Sequence, residues 1–336
     1  MSEDKYKPPY VLTERILDLV ERIGEALGRA SVEVPSLRLR RANRIRSIHG
    51  SVAIEGNTLS EEQVSAILDG KRVIAPPREI LEVQNALEAY DQLNEWSPFS
   101  GSDLLSAHAV MMTGLLEVSG KYRLKSVGVA GPEGIIHIAP PADRVPFLMS
   151  DLLHWLETTE LHPLVASAVF HYEFEFIHPF ADGNGRMGRL WQTLILSRWN
   201  RAFGDIAVES MIHAHQQEYY DAINESSAAV NCGPFIEFML QVILESIQAD
   251  QVGDQVSDQV KRLLKVIGNR QISAIELMES LGLSHRPTFR KNYLHPALEA
   301  GLIEMTMPDS PKSPTQKYRL TEKGRELLSL RKSVNR

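Results

Sequence analysis

The sequence lacks several features that would assign a protein to a class at once. Its 336 residues include one cysteine, Cys232, so an intrachain disulfide and a cysteine-rich zinc site are both excluded. No apolar run approaches the roughly 20 residues of a membrane span, and the polar N-terminus lacks the apolar core of a signal peptide. These absences predict a cytoplasmic protein without membrane contact.

Two common phosphate and metal motifs are also missing. The sequence contains neither a Gly-x-x-x-x-Gly-Lys-Ser/Thr loop nor a His-Glu-x-x-His pair. P-loop kinases and zincin proteases are therefore poor candidates.

Charge divides the chain into two parts. The whole sequence has a formal net charge of −7, but residues 259–336 hold 15 Lys and Arg against 7 Asp and Glu, a net of +8. The remainder therefore carries −15. Because such asymmetry marks separate domains, we predict a distinct basic C-terminal domain over 259–336.

Apolar spacing predicts a mainly α protein. We expect an N-terminal helical region over 1–104, a second block over 105–248 and a helical linker over 249–258 that repeats Asp-Gln-Val. Between 120 and 141, β-branched residues alternate with Gly and Pro, which predicts a β-hairpin. Predicted helices cover 12–30, 37–54, 61–70, 79–96, 103–118, 145–157, 163–177, 189–200, 216–224 and 234–248.

The stretch 178–189 carries the residue types of a nucleotide-transfer site. It reads His-Pro-Phe-Ala-Asp-Gly-Asn-Gly-Arg-Met-Gly-Arg. His178 is a candidate general base because imidazole titrates near neutrality, and Asp182 offers the hard oxygen that suits Mg²⁺ with phosphate oxygens. Each residue alone is more typical of an ordinary turn or loop, but the order of the whole set favours a functional site.

The second half of this stretch predicts a phosphate-binding nest. Gly183 and Gly185 allow a tight backbone whose N–H groups turn inward at the start of a helix. Arg186 and Arg189 are three residues apart, so they share a helix face, and guanidinium groups suit a polyphosphate. The predicted phosphate-binding residues are Gly183, Asn184, Gly185, Arg186, Met187, Gly188 and Arg189.

The stretch resembles, without departure, the Fic-family motif His-Pro-Phe-x-Asp-Gly-Asn-Gly-Arg-x-x-Arg, and residues 105–245 resemble a Fic core. The resemblance implies a Fic-type helical core with a β-hairpin flap. It also implies transfer of AMP from ATP, with Mg²⁺, to a Ser, Thr or Tyr hydroxyl of a protein. His178 would deprotonate the hydroxyl, Asp182 would hold Mg²⁺ and Arg189 would bind mainly the γ-phosphate.

Other chemistries within the same fold stay open. They are transfer from UTP, from CDP-choline, or of a simple phosphate group. The resemblance also makes a homodimer plausible.

A second Fic-like motif lies upstream, in Ser51-Val-Ala-Ile-Glu55-Gly-Asn57. Glu55 ends a helix, where the macrodipole opposes an acid, and by itself it is more typical of a solvent-facing side chain. The segment resembles the Fic inhibitory helix Ser/Thr-x-x-x-Glu-Gly/Asn, expected here over about 40–56. The resemblance implies that Glu55 pairs with Arg189 and blocks productive ATP binding. Whether Glu55 also supports removal of AMP is left open.

Further contacts to nucleotide and target are implied by the same resemblance. The flap would pair its backbone with an extended target segment by strand addition, and a plain structural hairpin is the alternative. The predicted flap and adenine-side residues are Ile135, Ile136, His137, Ile138, Tyr219, Tyr220 and Asn224. For the two tyrosines, one in the core and one in solvent is an equally good interpretation.

Three groups of polar residues are predicted to have structural roles. His171 and Glu173 lie on an apolar helix without a third metal ligand, which favours packing. His213 and His215 are predicted to be a surface pair. The arginines of 38–46 could form a nucleic-acid stripe, but salt bridges to the acidic N-terminal part are favoured.

The order of helices and strands expected in the C-terminal domain predicts a winged helix-turn-helix. Helices over 261–268, 273–281 and 287–300 precede strands over 302–307 and 316–320. Such a module binds DNA or docks proteins, and a DNA-binding regulator is the rival to the enzyme hypothesis. In the DNA-binding hypothesis, the wing would carry Lys312 and Lys317, and the recognition helix would run through Arg286, Thr288, Arg290, Lys291 and Tyr293.

Overall fold

A computed structural model describes residues 6–30, 37–131, 134–255, 258–308, 310, 313 and 315–333. The chain divides into two compact units, Met1–Ile247 and Gln248–Arg336. Both are mainly helical, with a hairpin in the first and a small sheet in the second, so the predicted fold class is confirmed. Among the described residues, no helix combines the length and apolarity needed to cross a membrane.

The first unit is built from helices around one hairpin. Its elements are α1 (Glu14–Ala30), α2 (Leu37–Ile54), α3 (Glu61–Leu68), α4 (Pro77–Asp91), α5 (Gly101–Met111), β1 (Gly128–Gly131), β2 (Gly134–Ile138), α6 (Val145–Thr158), α7 (Pro163–Ile177), α8 (Asn184–Trp199), α9 (Val208–Ala214), α10 (Gln216–Ala229) and the part of α11 (Gly233–Gln255) that precedes Gln248. Short 3₁₀ turns occupy Leu93–Glu95, Ala142–Arg144 and Arg201–Gly204.

Helix α7 is the centre of this unit. It is buried from Leu164 to Phe174, as expected for a helix that is apolar on all sides. It packs against α8 and α6, while α8 also contacts α5 and α2. The loop between α7 and α8 therefore starts and ends in the core, which gives the residues of 178–189 rigid support.

Helix α2 approaches α9 closely at a glycine. A Cβ on Gly50 would lie 2.6 Å from the carbonyl oxygen of Glu209. Only glycine permits this approach. The close packing sets the position of the end of α2, where Glu55 follows.

Several predicted boundaries are wrong. Helix α5 ends at Met111 instead of 118, because Gly114 has φ +70 and the chain turns. Helix α8 begins at Asn184 instead of 189, since the Asn184 side chain bonds the backbone N–H and carbonyl of Phe180 and closes the turn early. Helix α9 was not anticipated, and α11 continues to Gln255, into the predicted linker.

The second unit contains helices and a three-stranded antiparallel sheet in the order β3–β5–β4. Its elements are α12 (Asp258–Ile267), β3 (Ile272–Ser273), α13 (Ala274–Ser280), α14 (Arg286–Phe289), a π-helical segment (Arg290–Leu294), α15 (His295–Glu299), β4 (Ile303–Met305), β5 (Lys317–Leu320) and α16 (Glu322–Ser333). The predicted helix 287–300 thus has a π-helical middle, and β3 and α16 add to the predicted pattern.

The residues of the predicted recognition helix and wing differ in exposure. Arg286, Thr288, Arg290, Lys291 and Lys317 are exposed. Tyr293 lies on the same helical segment and is buried in the apolar core. Lys312 lies outside the described residues. DNA docking by this unit stays a prediction.

Candidate active site

The loop after α7 begins with an unusual backbone conformation at His178. This residue has φ 50, in the left-handed region, and its N–H donates to the Phe174 carbonyl at 2.9 Å. A non-glycine residue in this region is strained and persists where its surroundings hold it. The turn ends α7 at His178 and starts the loop that leads to α8.

Arg123 holds this loop from outside the motif. Its Nε donates to the His178 carbonyl at 2.7 Å, and its backbone N–H donates to the Pro179 carbonyl at 2.9 Å. Its other guanidinium nitrogens bond the carbonyls of Lys125 and Pro140. Burial lowers the pKa of Arg123. No local pattern in the sequence indicated this residue.

His108 supports the next part of the loop. Its ring stacks on Phe180 with centroids 3.7 Å apart, and its Nε2 lies 3.1 Å from the Asp182 carbonyl. The Gly120 N–H donates to Nδ1, so the proton of the neutral ring is on Nε2. Burial lowers the pKa of His108, which favours that neutral form. Sequence reasoning missed this residue too.

The N-terminus of α8 lies at the position of the predicted nest. Gly183 precedes the helix with φ +83, a conformation that glycine adopts readily, and its N–H donates to Asp182 Oδ1 at 2.6 Å. Asn184 and Met187 are buried and hold the turn and the core side of α8. A helix N-terminus with free N–H groups binds anions.

The two arginines of α8 are buried and face different carboxylates. Arg186 lies 3.4 Å from Asp182 Oδ1 and 3.9 Å from Glu82 Oε1. Arg189 donates to Glu55 Oε1 at 2.6 Å and to the Ser51 carbonyl at 3.0 Å. The pairing of Glu55 with Arg189 is thus present, across 134 residues of sequence.

The pair between Glu55 and Arg189 is strongly asymmetric in exposure. The Arg189 side chain is 1% exposed and that of Glu55 is 31% exposed. Burial opposes the charged guanidinium, but the Glu55 carboxylate outweighs it and keeps the pKa of Arg189 above its usual value. A Cβ on Gly185 would clash with Glu55 Oε1, so the glycine of the nest also makes room for the acid.

Glu175 is a buried carboxyl that the motif does not include. Its Oε2 lies 3.9 Å from His178 Nδ1. Burial raises the pKa of Glu175 to about 8; Arg189 acts to lower it and Glu55 to raise it.

The flap residues are described by their backbone. In the hairpin, Ile138 pairs with Gly128, His137 with Val129 and Ile135 with Ala130, and the register shifts near Ile136. The side chains of Ile135, Ile136, His137 and Ile138 lie outside what the structure describes. Their nucleotide-side role stays a prediction.

The adenine-side candidates on α10 are only partly brought to the site. Tyr219 is buried in the core, and its OH lies 3.1 Å from His171 Nε2. Tyr220 and Asn224 are half-buried. Burial is the main cause that raises the pKa of each tyrosine, and the nearby Glu55 and Glu175 carboxyls raise both further.

The polar pairs outside the motif have structural partners. His171 bonds Gln192 at 2.6 Å, and Glu173 accepts from the Tyr6 hydroxyl at 2.6 Å, so packing is confirmed for both. His213 and His215, predicted to be a surface pair, are each partly exposed. They have separate partners: His213 meets the His49 ring, and His215 meets Glu218 and Glu245.

The arginines of α2 form the predicted salt bridges. Arg41 meets Asp69 at 2.6 Å and Arg44 meets Asp91 at 2.5 Å.

Asp182 suits the implied Mg²⁺. Its carboxylate is 41% exposed and lies beside the α8 N-terminus. Within the described residues, no cluster of three or more His, Cys, Asp or Glu could hold a metal ion. Mg²⁺ is commonly held by one or two carboxylates with substrate phosphates and water, so a single exposed carboxylate fits.

Comparisons with known proteins agree with this geometry. A model of the Fic/DOC family matches residues 98–196, and a model of the C-terminal domain of Fic-like proteins (filamentation induced by cAMP) matches residues 258–321. A crystal structure of a Fic family protein from Desulfovibrio desulfuricans G20 is 53% identical, with a TM-score of 0.71, over 95% of this chain and 99% of that one. This chain belongs to the Fic family.

Curated Fic relatives are more distant. The protein adenylyltransferase Fic of Culex quinquefasciatus is 29% identical over 242 residues, 68% of this chain and 46% of that protein. The protein adenylyltransferase Fic of Nematostella vectensis is 27% identical over 257 residues, 71% of this chain and 56% of that protein. The chain spans about half the length of these curated relatives.

Proposed function

We propose that this Fic protein transfers AMP from ATP to a Ser, Thr or Tyr hydroxyl of a protein. The proposal rests on how the candidate base and two arginines are arranged where α7 ends and α8 begins. His178 precedes a helix N-terminus that bears two buried arginines, Arg186 and Arg189. The relatives named protein adenylyltransferase support the same chemistry.

The reaction divides among residues of the loop and α8. His178 takes the proton of the target hydroxyl, whose oxygen bonds the α-phosphorus as the bond to the β-phosphate oxygen breaks and pyrophosphate leaves. N–H groups of the Gly183–Gly185 nest stabilise the charge that develops on the phosphate. Arg186 and Arg189 bind the β- and γ-phosphates, a geometry suited to guanidinium groups.

Asp182 would hold Mg²⁺ on the phosphates. The ion, when bound, would neutralise phosphate charge and orient the leaving group. Before nucleotide binds, Arg186 lies within 4 Å of the carboxylates of Asp182 and Glu82.

Glu55 acts as an inhibitor in this proposal. Its carboxylate occupies Arg189, the arginine assigned to the γ-phosphate, and Ser51 holds the same guanidinium through its carbonyl. ATP then binds with its γ-phosphate away from Arg189, so the α-phosphate is not placed for transfer. Whether Glu55 also supports removal of AMP from a target stays open.

The target polypeptide is expected to pair with the backbone of the β1–β2 hairpin. Edge strands with free N–H and carbonyl groups bind extended segments in this way. The predicted homodimer and cytoplasmic location stay predictions.

Self-labelling tests the proposal. Wild type, Glu55→Gly and Glu55→Gly/His178→Ala are incubated with Mg²⁺ and ATP labelled on the α- or the γ-phosphate. We expect α-label on protein, strongest in Glu55→Gly and absent without His178, and no γ-label.

Each other outcome has a defined meaning. Label from the γ position would contradict AMP transfer. Label from UTP or CDP-choline but not from ATP would assign a different donor. Equal labelling of wild type and Glu55→Gly would refute inhibition by Glu55 while leaving AMP transfer intact.

A further inference from the structure

Glu175 lies between the candidate base and the inhibited arginine. It is on α7, three residues before His178, and its side chain is 12% exposed. Its Oε2 is 3.9 Å from His178 Nδ1 and its Oε1 is 3.9 Å from His171 Nε2. Among the described residues, Oε1 has no hydrogen-bond donor. A buried carboxyl with spare acceptor capacity calls for an explanation.

The motif itself makes room for this carboxyl. A Cβ on Gly188 would lie 2.8 Å from Glu175 Oε1 and 3.0 Å from His171 Cδ2. Any side chain at this position of α8 would therefore push the carboxyl aside. The glycine between the two arginines serves the placement of Glu175.

The groups that face Glu175 limit its charged partners. They come from α7 and its end (His171, His178), from α8 (Arg189), from the end of α2 (Glu55) and from α10 (Tyr219, Tyr220). Burial lowers the pKa of His171 to about 3, so that imidazole is neutral. The cationic partners left for Glu175 are therefore Arg189 and protonated His178.

We propose that Glu175 is a positioning residue for His178, accepting a hydrogen bond from Nδ1–H and leaving Nε2 to take the target proton. This rests on the proposed function. A general base needs a third group that fixes its tautomer and orientation. Catalytic hydrogen bonds are often long before substrate binds and tighten in the complex, so the 3.9 Å separation is compatible with this role.

The proton balance is complete without a further reactant. The neutral imidazole carries its proton on Nδ1, and the target hydroxyl gives a second proton to Nε2. The resulting imidazolium ion keeps its Nδ1–H hydrogen bond to the Glu175 carboxyl oxygen until Nε2 releases its proton to water after pyrophosphate leaves.

Kinetics in the Glu55→Gly protein test the assignment. We expect Glu175→Met, which keeps the volume but removes the acceptor, to lower kcat by about 10- to 100-fold. KM for ATP should not change, because Glu175 touches no nucleotide in this scheme. Glu175→Gln, which keeps an acceptor oxygen, should recover part of kcat.

Glu173→Met is the matched control. Glu173 is also a buried acid of α7, but its carboxylate bonds Tyr6. We expect its substitution to leave kcat unchanged. A similar loss of kcat in both variants would assign the effect to helix packing and overturn the inference.

A second readout does not depend on activity or on the folding of a Glu175 variant. Imidazole ¹⁵N NMR of Glu55→Gly, with His178 assigned by the signal lost in His178→Ala, should show the proton on Nδ1. A neutral ring with its proton on Nε2 would overturn the inference, as would an unchanged kcat in Glu175→Met. Absence of AMP transfer in Glu55→Gly would instead refute the proposed function, and the NMR result would still decide the tautomer.

Discussion

Two Arg–Glu ion pairs, one in each unit, have the same nitrogen–oxygen distance but different surroundings. Arg189 meets Glu55 at 2.6 Å in the first unit, and Arg319 meets Glu304 at 2.6 Å in the second. The Arg189 side chain is 1% exposed, whereas that of Arg319 is 50% exposed. Distance alone therefore does not tell what an ion pair does.

The surroundings continue the contrast. The second unit has an apolar core, built around residues such as Leu264, Phe289 and Leu302. The first unit buries arginines, histidines and acids around α7 and α8. Burying charge is costly unless it is paired. The first unit pairs its buried charged groups with one another, whereas the described residues of the second unit include no buried arginine, histidine or acid.

The largest expected effect is a loss of AMP transfer when the arginine of the buried pair, and not that of the exposed pair, is replaced. In the Glu55→Gly protein, Arg189→Met should lower AMP transfer about 10²- to 10³-fold, because one donor to the developing phosphate charge is lost. Labelling rates with α-labelled ATP measure this. Arg319→Met is the matched control and should leave the rate unchanged. Equal losses of labelling rate in both variants would show that the difference in burial between the two arginines does not affect activity.

An intermediate effect concerns the pH dependence of stability. The pKa of Glu175 is raised by burial from 4.5 to about 8, so the folded chain binds more protons than the unfolded one between these values. The stabilisation from Glu175 is thus fully present below pH 4.5 and is lost as the pH rises through about 8. Relative to Glu175→Gln, wild type should lose about 1 to 3 kcal/mol between pH 5 and 8, at about 1.4 kcal/mol per pKa unit.

Urea unfolding followed by tryptophan fluorescence measures this difference, because the fluorescence reports on the unit that contains Glu175. All four tryptophans lie in the first unit, at Trp96, Trp155, Trp191 and Trp199. Parallel stability curves for wild type and Glu175→Gln over this pH range would contradict the assigned protonation.

The smallest effect is expected at the exposed pair. Arg319→Met should cost about 0.2 to 1 kcal/mol, since exposed ion pairs contribute little. The loss should vanish in about 1 M salt, where the screening length is about 3 Å. Hydrogen exchange of the β5 amides reports on the second unit directly. A loss of unfolding free energy above about 1 kcal/mol that does not depend on salt would show that the exposed pair contributes more than expected for its exposure.

Much of the site was predictable because its residues are local in sequence. His178, Asp182, Arg186 and Arg189 fall within twelve positions, and their chemistry is recognisable there. Hydrophobic spacing likewise predicted α7 to the residue, since an all-apolar helix has few alternatives. Helix ends were less predictable. The start of α8 depends on the Asn184 side chain bonding back to Phe180, which apolar spacing does not reveal.

The supporting residues were not predictable because their contacts are distant in sequence. Arg123 reaches the His178 carbonyl across 55 residues, and His108 reaches Asp182 across 74. Neither belongs to a local pattern. Glu175 is local, yet only the fold shows that its carboxyl lies between His178 and Arg189 and against Gly188.

The sequence by itself determined the helical class, the basic second unit and the set of residues proposed to bind phosphate, because periodicity, charge and motif order are local properties. Only the tertiary structure decided how deeply each charged group is buried and which further groups face it. Glu55 and Arg189 are 134 residues apart, and their pairing requires that α2 pack closely on α9 and against α8. Burial, which sets the strength of that pair and the pKa of Glu175, exists only once the helices have assembled.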